Sequence, residues 1–375
     1  MPKKRSKNPD LLFSDVIKER TPKVIDYYTK NKKNIPHLDR VTLIVTHRCN
    51  YRCTYCNGPH TGFNKDRLEE KKEMLKKDLN FEDFKKMISD WSDVGLTQIH
   101  FTGGEPTLNK DLLKMVRLAS KKGILTSITT NGSANKKLYS NLIKSGMTEI
   151  RISIDAGEEK DYDHIVGVKK HFPKVIENIK EIVRMRDREK EDVFLVFNSV
   201  VGKINLEKTK DFLKFLISLK PNDIKILVVS MERDEISKKK SKEFIDELNG
   251  LIKGYPKDQF VLLRDKISKM FDPNAQGLKD NKTQKVMEHC FVSVTERTHT
   301  PSHYYPCSIY IRAFGKPIGK NTDSFEIQQE KLLNFVKNND CRIDSICSRI
   351  CTNCCKIYNN HVNKELKKWK KKTKK

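Results

Sequence analysis

Over its first 255 residues the chain alternates short apolar runs with longer amphipathic, charged segments. The apolar runs are rich in β-branched residues and predict strands at 41–46, 98–102, 125–130, 149–155, 193–201 and 223–230. Apolar residues at helical spacing predict helices at 81–94, 110–122, 136–145, 173–188, 206–219 and 239–252. This order predicts a parallel sheet with right-handed crossovers. Six units are too few to close an eight-stranded barrel, so we expect an α/β fold, a partial (βα)6 TIM-like barrel.

After residue 255 the periodic pattern gives way to Gly, Pro and Asn, and a small cysteine-rich domain is expected to follow. We therefore predict a basic helical extension at 1–40, the barrel at 41–255, the cysteine-rich domain at 256–360 and a basic tail at 361–375. The stretch from Cys290 to Cys307 is β-prone with a turn-rich centre, which predicts a hairpin that carries both thiols. We expect the basic tail to be disordered.

The charge of the chain is high but unevenly placed. Of the net charge of +26, the first seven residues and the segment 364–375 hold +11, and elsewhere Lys alternates with Glu as on solvated helix faces. A nucleic-acid partner is therefore possible but not favoured. The sequence shows no apolar run of about 18 residues and no secretory signal, so we expect a cytoplasmic protein with no membrane partner.

The ten cysteines fall into two groups, with none between Cys56 and Cys290. The first group is Cys49, Cys53 and Cys56, and the second is Cys290, Cys307, Cys341, Cys347, Cys351, Cys354 and Cys355. In a reducing compartment such groups indicate metal binding in preference to disulfides.

The first group has the spacing C-x3-C-x2-C directly after the first predicted strand. Three thiolates on a loop at the carboxyl end of a barrel strand can hold three irons of a [4Fe–4S] cluster and leave the fourth iron open. The alternative is zinc, with His47 or His60 as fourth ligand, although zinc sites generally pair two C-x2-C knuckles.

These residues resemble the signature of the radical S-adenosylmethionine (SAM) superfamily, in which Tyr55 occupies the aromatic position before the third cysteine. Gly103-Gly104-Glu105, at the end of the second strand, resembles the family's Gly-Gly-Glu motif. The resemblance implies that this motif forms a cradle for the α-ammonium group of the methionyl moiety, because glycines permit close backbone approach and Glu105 adds negative charge. It also makes Asn131 and Ser153 candidates for contacts with the ribose and carboxylate of SAM. The alternatives are that Asn131 belongs to a simple turn and that Ser153 is a small inward residue.

The resemblance implies a mechanism as well as a fold. SAM would chelate the open iron, an electron would enter the cluster, and cleavage would give methionine and a 5′-deoxyadenosyl radical that abstracts hydrogen from substrate. The electron would come from a flavodoxin or ferredoxin.

The second group resembles the auxiliary-cluster extensions of this superfamily, called twitch when they hold one cluster and SPASM when they hold two. The one-cluster arrangement is matched by Cys290, Cys307, Cys351 and Cys354, and a second [4Fe–4S] cluster would draw on Cys341, Cys347 and Cys355. The SPASM spacing is incomplete, because Asn338 and Ser302 stand where a Cys and a Gly are expected. One auxiliary cluster is therefore favoured over two, and structural zinc or buried free thiols are the alternatives.

We therefore expect a radical SAM enzyme that acts on a C–H bond of a peptide, protein or small molecule. Only 48 residues precede Cys49, which is fewer than a leader-binding module needs, and this weakens the case for a peptide. The catalytic residues that contact substrate are unknown. An RNA- or nucleotide-modifying radical SAM enzyme is one alternative, and an iron–sulfur or zinc protein without enzymatic activity is another.

Overall fold

The computed structural model describes residues 13–29, 38–56, 58, 72, 76–228, 242–269, 288–350 and 353–373. The chain divides into two compact units. The parallel unit comprises Leu43–Lys85 and Gln98–Asp272, and the cysteine-rich unit comprises Met1–Thr42, Lys86–Thr97 and Pro273–Lys375.

The elements are numbered along the chain. The strands are β1 (Arg40–Thr46), β2 (Gln98–Gly103), β3 (Leu125–Thr130), β4 (Glu149–Ser153), β5 (Phe194–Val201), β6 (Asp223–Val228), β7 (Glu296–His299), β8 (His303–Tyr305) and β9 (Gly319–Lys320). The helices are α1 (Phe13–Thr29), α2 (Phe81–Asp93), α3 (Leu112–Lys121), α4 (Lys136–Lys144), α5 (Glu159–Val166), α6 (Phe172–Asp187), α7 (Thr209–Ser218), α8 (Lys242–Gly250), α9 (Val261–Lys269), α10 (Val292–Thr295), α11 (Ser308–Arg312), α12 (Phe325–Asn338), α13 (Cys347–Ile350) and α14 (Asn353–Thr373).

The parallel unit is an open α/β sheet in the strand order β6-β5-β4-β3-β2-β1. Neighbouring strands from β2 to β6 pair in parallel, and β1 and β6 lie at opposite ends of this order. The predicted partial α/β barrel with six strands is confirmed. Helices α5 and α9 were not predicted. The carboxylate of Asp223 at the start of β6 accepts the backbone N–H of Leu262 at 2.9 Å, which places α9 in this unit, beyond the boundary predicted at residue 255.

The two faces of the sheet differ in polarity, because the side-chain period of a strand is two. One face carries a row of fully buried apolar residues in register: Phe101, Ile128, Ile150 and Leu195. The other face carries polar residues in two neighbouring register rows: His100, Ser127 and Glu149, followed by Thr129 and Arg151. The burial of polar groups on a sheet face needs partners, so this face is a candidate for binding.

The cysteine-rich unit contains a hairpin within the predicted stretch, but neither Cys290 nor Cys307 lies on its strands, so the prediction that the hairpin carries both thiols is wrong. Strands β7 and β8 pair antiparallel, with Thr298 opposite Tyr305, and β9 extends the sheet beside β8. One helical turn, α10, precedes β7, so only part of the predicted β-prone stretch is extended.

The basic tail is helical, whereas we expected it to be disordered. Helix α14 runs to Thr373, and Val362 and Leu366 are buried in a core that includes residues of α1 and α12, with Trp369 packed against it. These three apolar residues lie at spacings of four and three, which places them on one face of a helix. None of the helices that the structure describes is long and apolar enough to cross a membrane.

Candidate functional site

The cysteine loop follows β1 and is held by backbone hydrogen bonds to the end of α5. The N–H groups of Arg52 and Thr54 donate to the carbonyl oxygens of Val166 and Ile165, each at 2.9 Å. Within the loop, the N–H of Cys56 donates to the carbonyl of Cys53 at 3.1 Å. The loop is therefore fixed by a helix that lies more than a hundred residues further along the chain.

Two thiols of this loop, those of Cys49 and Cys53, have raised pKa values. Burial and, to a smaller extent, the nearby Glu105 and Cys56 raise the pKa of Cys49 to about 11. Burial, with Asp155 and the other two thiols, raises the pKa of Cys53 well above its ordinary range. Buried thiols of this kind become thiolates only when a metal supplies positive charge.

The donor set fits a cluster that spans several irons. Each thiolate ligand of a cubane binds a different iron, so the sulfur atoms need not converge on one point. Within the described ranges, no three Cys, His, Asp or Glu side chains meet closely enough to hold a single metal ion. Three thiols on one anchored loop agree better with an iron–sulfur cluster than with one tetrahedral zinc ion.

The Gly-Gly-Glu turn packs against the backbone at the start of the cysteine loop. The N–H of Gly104 donates to Thr46 O at 2.9 Å, and the N–H of Glu105 donates to Arg48 O at 2.7 Å. A Cβ atom at Gly103 would lie 2.1 Å from Thr46 O, and one at Gly104 would lie 2.2 Å from Arg48 O. The glycines are thus required for the approach of two backbone segments, a reason that differs from the predicted approach to a ligand.

The carboxylate of Glu105 is buried and accepts hydrogen bonds from its own unit. Its Oε1 accepts from the N–H and hydroxyl of Thr107 at 3.0 and 2.6 Å and from the hydroxyl of Thr130 at 2.7 Å. Its Oε2 accepts from the N–H of Asn131 at 2.7 Å. Burial raises the pKa of Glu105, and these hydrogen bonds oppose that shift. Glu105 therefore joins the ends of β2 and β3.

Asn131 is likewise engaged with the cysteine loop. Its Nδ2 donates to Asn50 Oδ1 at 2.9 Å, and Asn50 Nδ2 donates to Ser133 Oγ at 2.8 Å. Asn50 was not predicted as a site residue, because the spacing of the cysteines gives no information on the residues between them.

Tyr55 is connected to the end of β4 through a second residue that the sequence analysis did not select. Its hydroxyl donates a very short hydrogen bond to Oδ2 of Asp155, and Oδ1 of Asp155 accepts the N–H of Val200 at 2.6 Å. Burial raises the pKa of Asp155 to about 6, although both hydrogen bonds oppose that change. The aromatic side chain of the loop is thereby fixed to the ends of β4 and β5.

Ser153 lies at the end of β4, in register with Asn198 on β5. The Oδ1 atom of Asn198 is buried without a hydrogen-bond partner among the residues that the structure describes. A buried acceptor without a partner, beside a half-buried serine and at the carboxyl ends of parallel strands, is a suitable place for polar groups of a ligand.

The polar face of the sheet continues this site toward the amino ends of the strands. His100 Nδ1 lies 2.8 Å from Ser127 Oγ, and its Nε2 lies 3.1 Å from Thr129 Oγ1. Arg151 and Glu149 form a buried ion pair in the adjoining strand. The sequence signal was the polar residue at every second position of these strands, which the sequence analysis did not use.

The structure brings together several cysteines of the second group. Asn339 Nδ2 lies 3.9 Å from the sulfur atoms of both Cys341 and Cys347. A hydrogen bond with Cys341, together with burial and the nearby Asp344 and Cys290, raises the pKa of Cys347 far above its ordinary range. Cys290, Cys341 and Cys347 are thus neighbours.

Cys307 lies close to Tyr310 in the same region. Its Sγ accepts the N–H of Tyr310 at 3.4 Å. Burial raises the pKa of Tyr310 to about 12, with smaller effects of Asp344, Cys347 and Cys307. The side chains of Cys351, Cys354 and Cys355 lie outside the described residues, so their part in the predicted ligand set remains a prediction.

Comparison with known proteins identifies the parallel unit. The family model of the radical SAM superfamily matches residues 43–216. The chain is 30% identical over 187 residues to a PqqA peptide cyclase of Bradyrhizobium diazoefficiens, and the aligned region covers 50% of this chain and 45% of that protein. It is 34% identical over 181 residues to a GTP 3′,8-cyclase of Campylobacter lari, and the aligned region covers 48% of this chain and 52% of that protein. The chain thus spans about half the length of the curated relatives it matches.

Solved structures resemble more of the chain. SuiB of Streptococcus suis, in complex with its precursor peptide SuiA, aligns with a TM-score of 0.56 at 16% identity and covers 89% of this chain and 73% of that chain. The anSMEcpe structure with bound AdoMet aligns with a TM-score of 0.58 at 14% identity and covers 86% of this chain and 95% of that chain. At sequence identities this low, the structural similarity is evidence for the fold alone.

The fold of the parallel unit and its anchored three-cysteine loop agree with the family model that matches this part of the chain. The chain contains a domain of the radical SAM superfamily over residues 43–216. Membership implies SAM and one [4Fe–4S] cluster as cofactors.

Proposed function

We propose that this protein is a radical SAM enzyme that modifies a C–H bond of a peptide. The observation that carries the proposal is the loop with Cys49, Cys53 and Cys56, whose base is hydrogen-bonded to the Gly103-Gly104-Glu105 turn. When bound, the cluster and SAM supply the reductive cleavage that yields methionine and a 5′-deoxyadenosyl radical.

The residues of the chain hold and orient these groups in our proposal. The three cysteines bind three irons, and Ser153 and Asn198 bind polar groups of SAM at the carboxyl ends of β4 and β5. Glu105 acts through the backbone of the turn that it joins to Asn131, since its carboxylate oxygens already accept four hydrogen bonds. Tyr55, fixed by Asp155, forms one wall of the site.

An auxiliary [4Fe–4S] cluster forms part of the proposal. Its support is the proximity of Cys290, Cys341 and Cys347 to one another, and of Cys347 and Cys307 to Tyr310. This arrangement favours a ligand set that includes Cys341 and Cys347 for the first auxiliary cluster, whereas the resemblance to auxiliary-cluster extensions favoured Cys351 and Cys354.

A peptide is the proposed substrate class for two reasons. A PqqA peptide cyclase is among the relatives, and the SuiB structure contains a precursor peptide. The face that carries His100, Glu149 and Arg151 offers charged and hydrogen-bonding groups that suit the polar groups of a peptide. We further propose that the protein works in the cytoplasm and takes electrons from a flavodoxin or ferredoxin.

The test is anaerobic reconstitution with iron and sulfide, an iron count, and incubation with SAM and dithionite. We expect about eight irons per chain and formation of 5′-deoxyadenosine. The Cys49→Ala/Cys53→Ala/Cys56→Ala variant should keep about four irons and form no 5′-deoxyadenosine. Zinc in place of iron, with no 5′-deoxyadenosine in the wild type, would exclude the proposal.

A further inference from the structure

Arg297, on β7 of the cysteine-rich unit, is a buried cation that is 1% exposed. Its Nη2 donates to Gln329 Oε1 at 2.6 Å, its Nη1 donates to Gln328 Oε1 at 3.4 Å, and its guanidinium lies 5.1 Å from the ring centre of Phe325. All of these partners are neutral. A charge taken out of water is costly unless an opposite charge accompanies it.

No carboxylate forms an ion pair with Arg297 in the part of the chain that the structure describes. The ionisable groups that face it do not supply the missing charge. Burial raises the pKa of Tyr27 to about 12 and that of Tyr304 higher still, so both phenols are neutral near pH 7. Burial and Arg297 itself lower the pKa of His299 to about 3, so that ring adds no charge.

One N–H donor of this guanidinium and one of the neighbouring Gln329 also lack an acceptor. Arg297 Nε and Gln329 Nε2 are buried and make no hydrogen bond to any residue that the structure describes. Because Gln329 Oε1 accepts from Nη2 of Arg297, the amide nitrogen of Gln329 lies close to the guanidinium. The Nε–H and one Nη–H of an arginine point away from the same edge of the planar guanidinium, so one acceptor can lie near both. Water could accept from these donors, but it would leave the charge uncompensated.

We propose that Arg297 and Gln329 form a buried binding site for a small inorganic anion of the size of chloride. The anion accepts hydrogen bonds from Arg297 Nε and Gln329 Nε2 and neutralises the guanidinium. Its size is limited because Arg297 and Gln329 are each 1% exposed. Arg297 and Gln329 belong to the cysteine-rich unit and the three-cysteine loop to the parallel unit, and the proposed site does not depend on the function proposed above.

The test uses the full chain, purified from the outset in chloride or in gluconate at equal ionic strength, and follows thermal unfolding as chloride is added. Binding to the folded state predicts a saturable rise in Tm of about 5 °C. The Arg297→Met variant should lose this rise. The control Arg184→Met should keep it, because Arg184 is a half-buried residue of the parallel unit whose charge is paired with Glu181 and Glu189.

A second variant keeps the test decisive if Arg297→Met fails to fold. Gln329→Glu places a carboxylate beside the guanidinium, so it should be more stable than the wild type in gluconate and show no rise in Tm with chloride. Crystals grown in bromide should show an anomalous scatterer beside Arg297 in the wild type only. A Tm that does not depend on the anion in the wild type, or a rise of equal size in Gln329→Glu, would overturn the proposal.

Discussion

Gly104 and Arg48 approach each other so closely that a Cβ atom on Gly104 would lie 2.2 Å from the carbonyl oxygen of Arg48. The N–H of the next residue, Glu105, donates to that same carbonyl at 2.7 Å. The residue after Arg48 is Cys49, the first cysteine of the loop. The Gly-Gly-Glu turn and the cysteine loop therefore form one rigid backbone assembly.

Gly104→Ala should disrupt this assembly. The added methyl group would meet Arg48 O at 2.2 Å and His47 O at 2.6 Å, both of them backbone atoms. We expect a loss of about 1–3 kcal/mol in stability and less iron retained at the three-cysteine site, measured by thermal unfolding and iron analysis. The control is Gly250→Ala, where the new Cβ meets nothing within 4 Å. Equal iron contents in the two variants would show that the three-cysteine site can hold its iron without the close backbone packing at Gly104.

Asp155 should make stability depend on pH in the iron-free protein. Its pKa is raised from 3.8 to about 6, so the folded state binds more protons than the unfolded state between these values. Its contribution to stability is therefore largest below pH 3.8 and is lost as the pH rises through about 6. Relative to Asp155→Asn, the wild type should lose about 3 kcal/mol of unfolding free energy across that window.

Asp111 provides the matched control, because Lys114 lowers its pKa. The contribution of this carboxylate to folding stability is complete above its pKa in the unfolded state. That contribution is lost as the pH falls through its lower pKa in the folded state. The difference between wild type and Asp111→Asn should stay flat from about pH 5 to 7 and shrink below about pH 4. If the difference in unfolding free energy between the wild type and Asp155→Asn did not change with pH from about 4 to 6, Asp155 would be ionised throughout that range and the prediction would be wrong.

Cys341→Ala and Cys347→Ala should each remove the same auxiliary cluster, because the two thiols are hydrogen-bonded neighbours. We expect each variant to lose about four irons, and the double variant to lose no more than either single one. Iron analysis with Mössbauer spectroscopy measures this. A double variant that loses about twice the iron of each single variant would place the two residues on different clusters.

Leu366→Ala should destabilise the protein, because the basic tail is part of the core. Leu366 is 5% exposed and packs in the cluster that contains Val24, Phe291 and Val336. Truncation of such a buried leucine costs about 2–5 kcal/mol. Lys367→Ala, an exposed neighbour on α14, should change stability by no more than about 0.5 kcal/mol. Equal unfolding temperatures for the two variants would mean that α14 does not pack in solution.

Much of the sheet was predictable, because each strand is a short apolar run between turn residues. Strand β3 begins and ends at the predicted residues, and β1, β2, β4 and β5 differ from the prediction by one or two residues at their ends. Strand β6 begins at the predicted residue, and residues 229–230 of that prediction lie outside the described residues. Helix α5 was missed, since its eight residues are mostly polar and charged. That short helix nevertheless supplies two carbonyl groups that hold the cysteine loop.

The candidate site was predictable only in part. The cysteine spacing selected the loop, but pairs such as Tyr55 with Asp155 join residues one hundred positions apart. No local pattern contains that contact, because it arises from the alignment of strand ends in the folded sheet. The helical tail was missed because eight lysines between 364 and 375 obscured the three apolar residues that pack.

The most direct test of the central claim is the EPR spectrum of the reduced protein before and after addition of SAM. The variant used for it keeps Cys49, Cys53 and Cys56 but lacks Cys341 and Cys347, so that the site on the loop dominates the signal. We predict a [4Fe–4S] signal whose g-values change when SAM binds the open iron, and a weaker change in Ser153→Ala and Asn198→Ala. A cluster signal that SAM leaves unchanged would contradict the account.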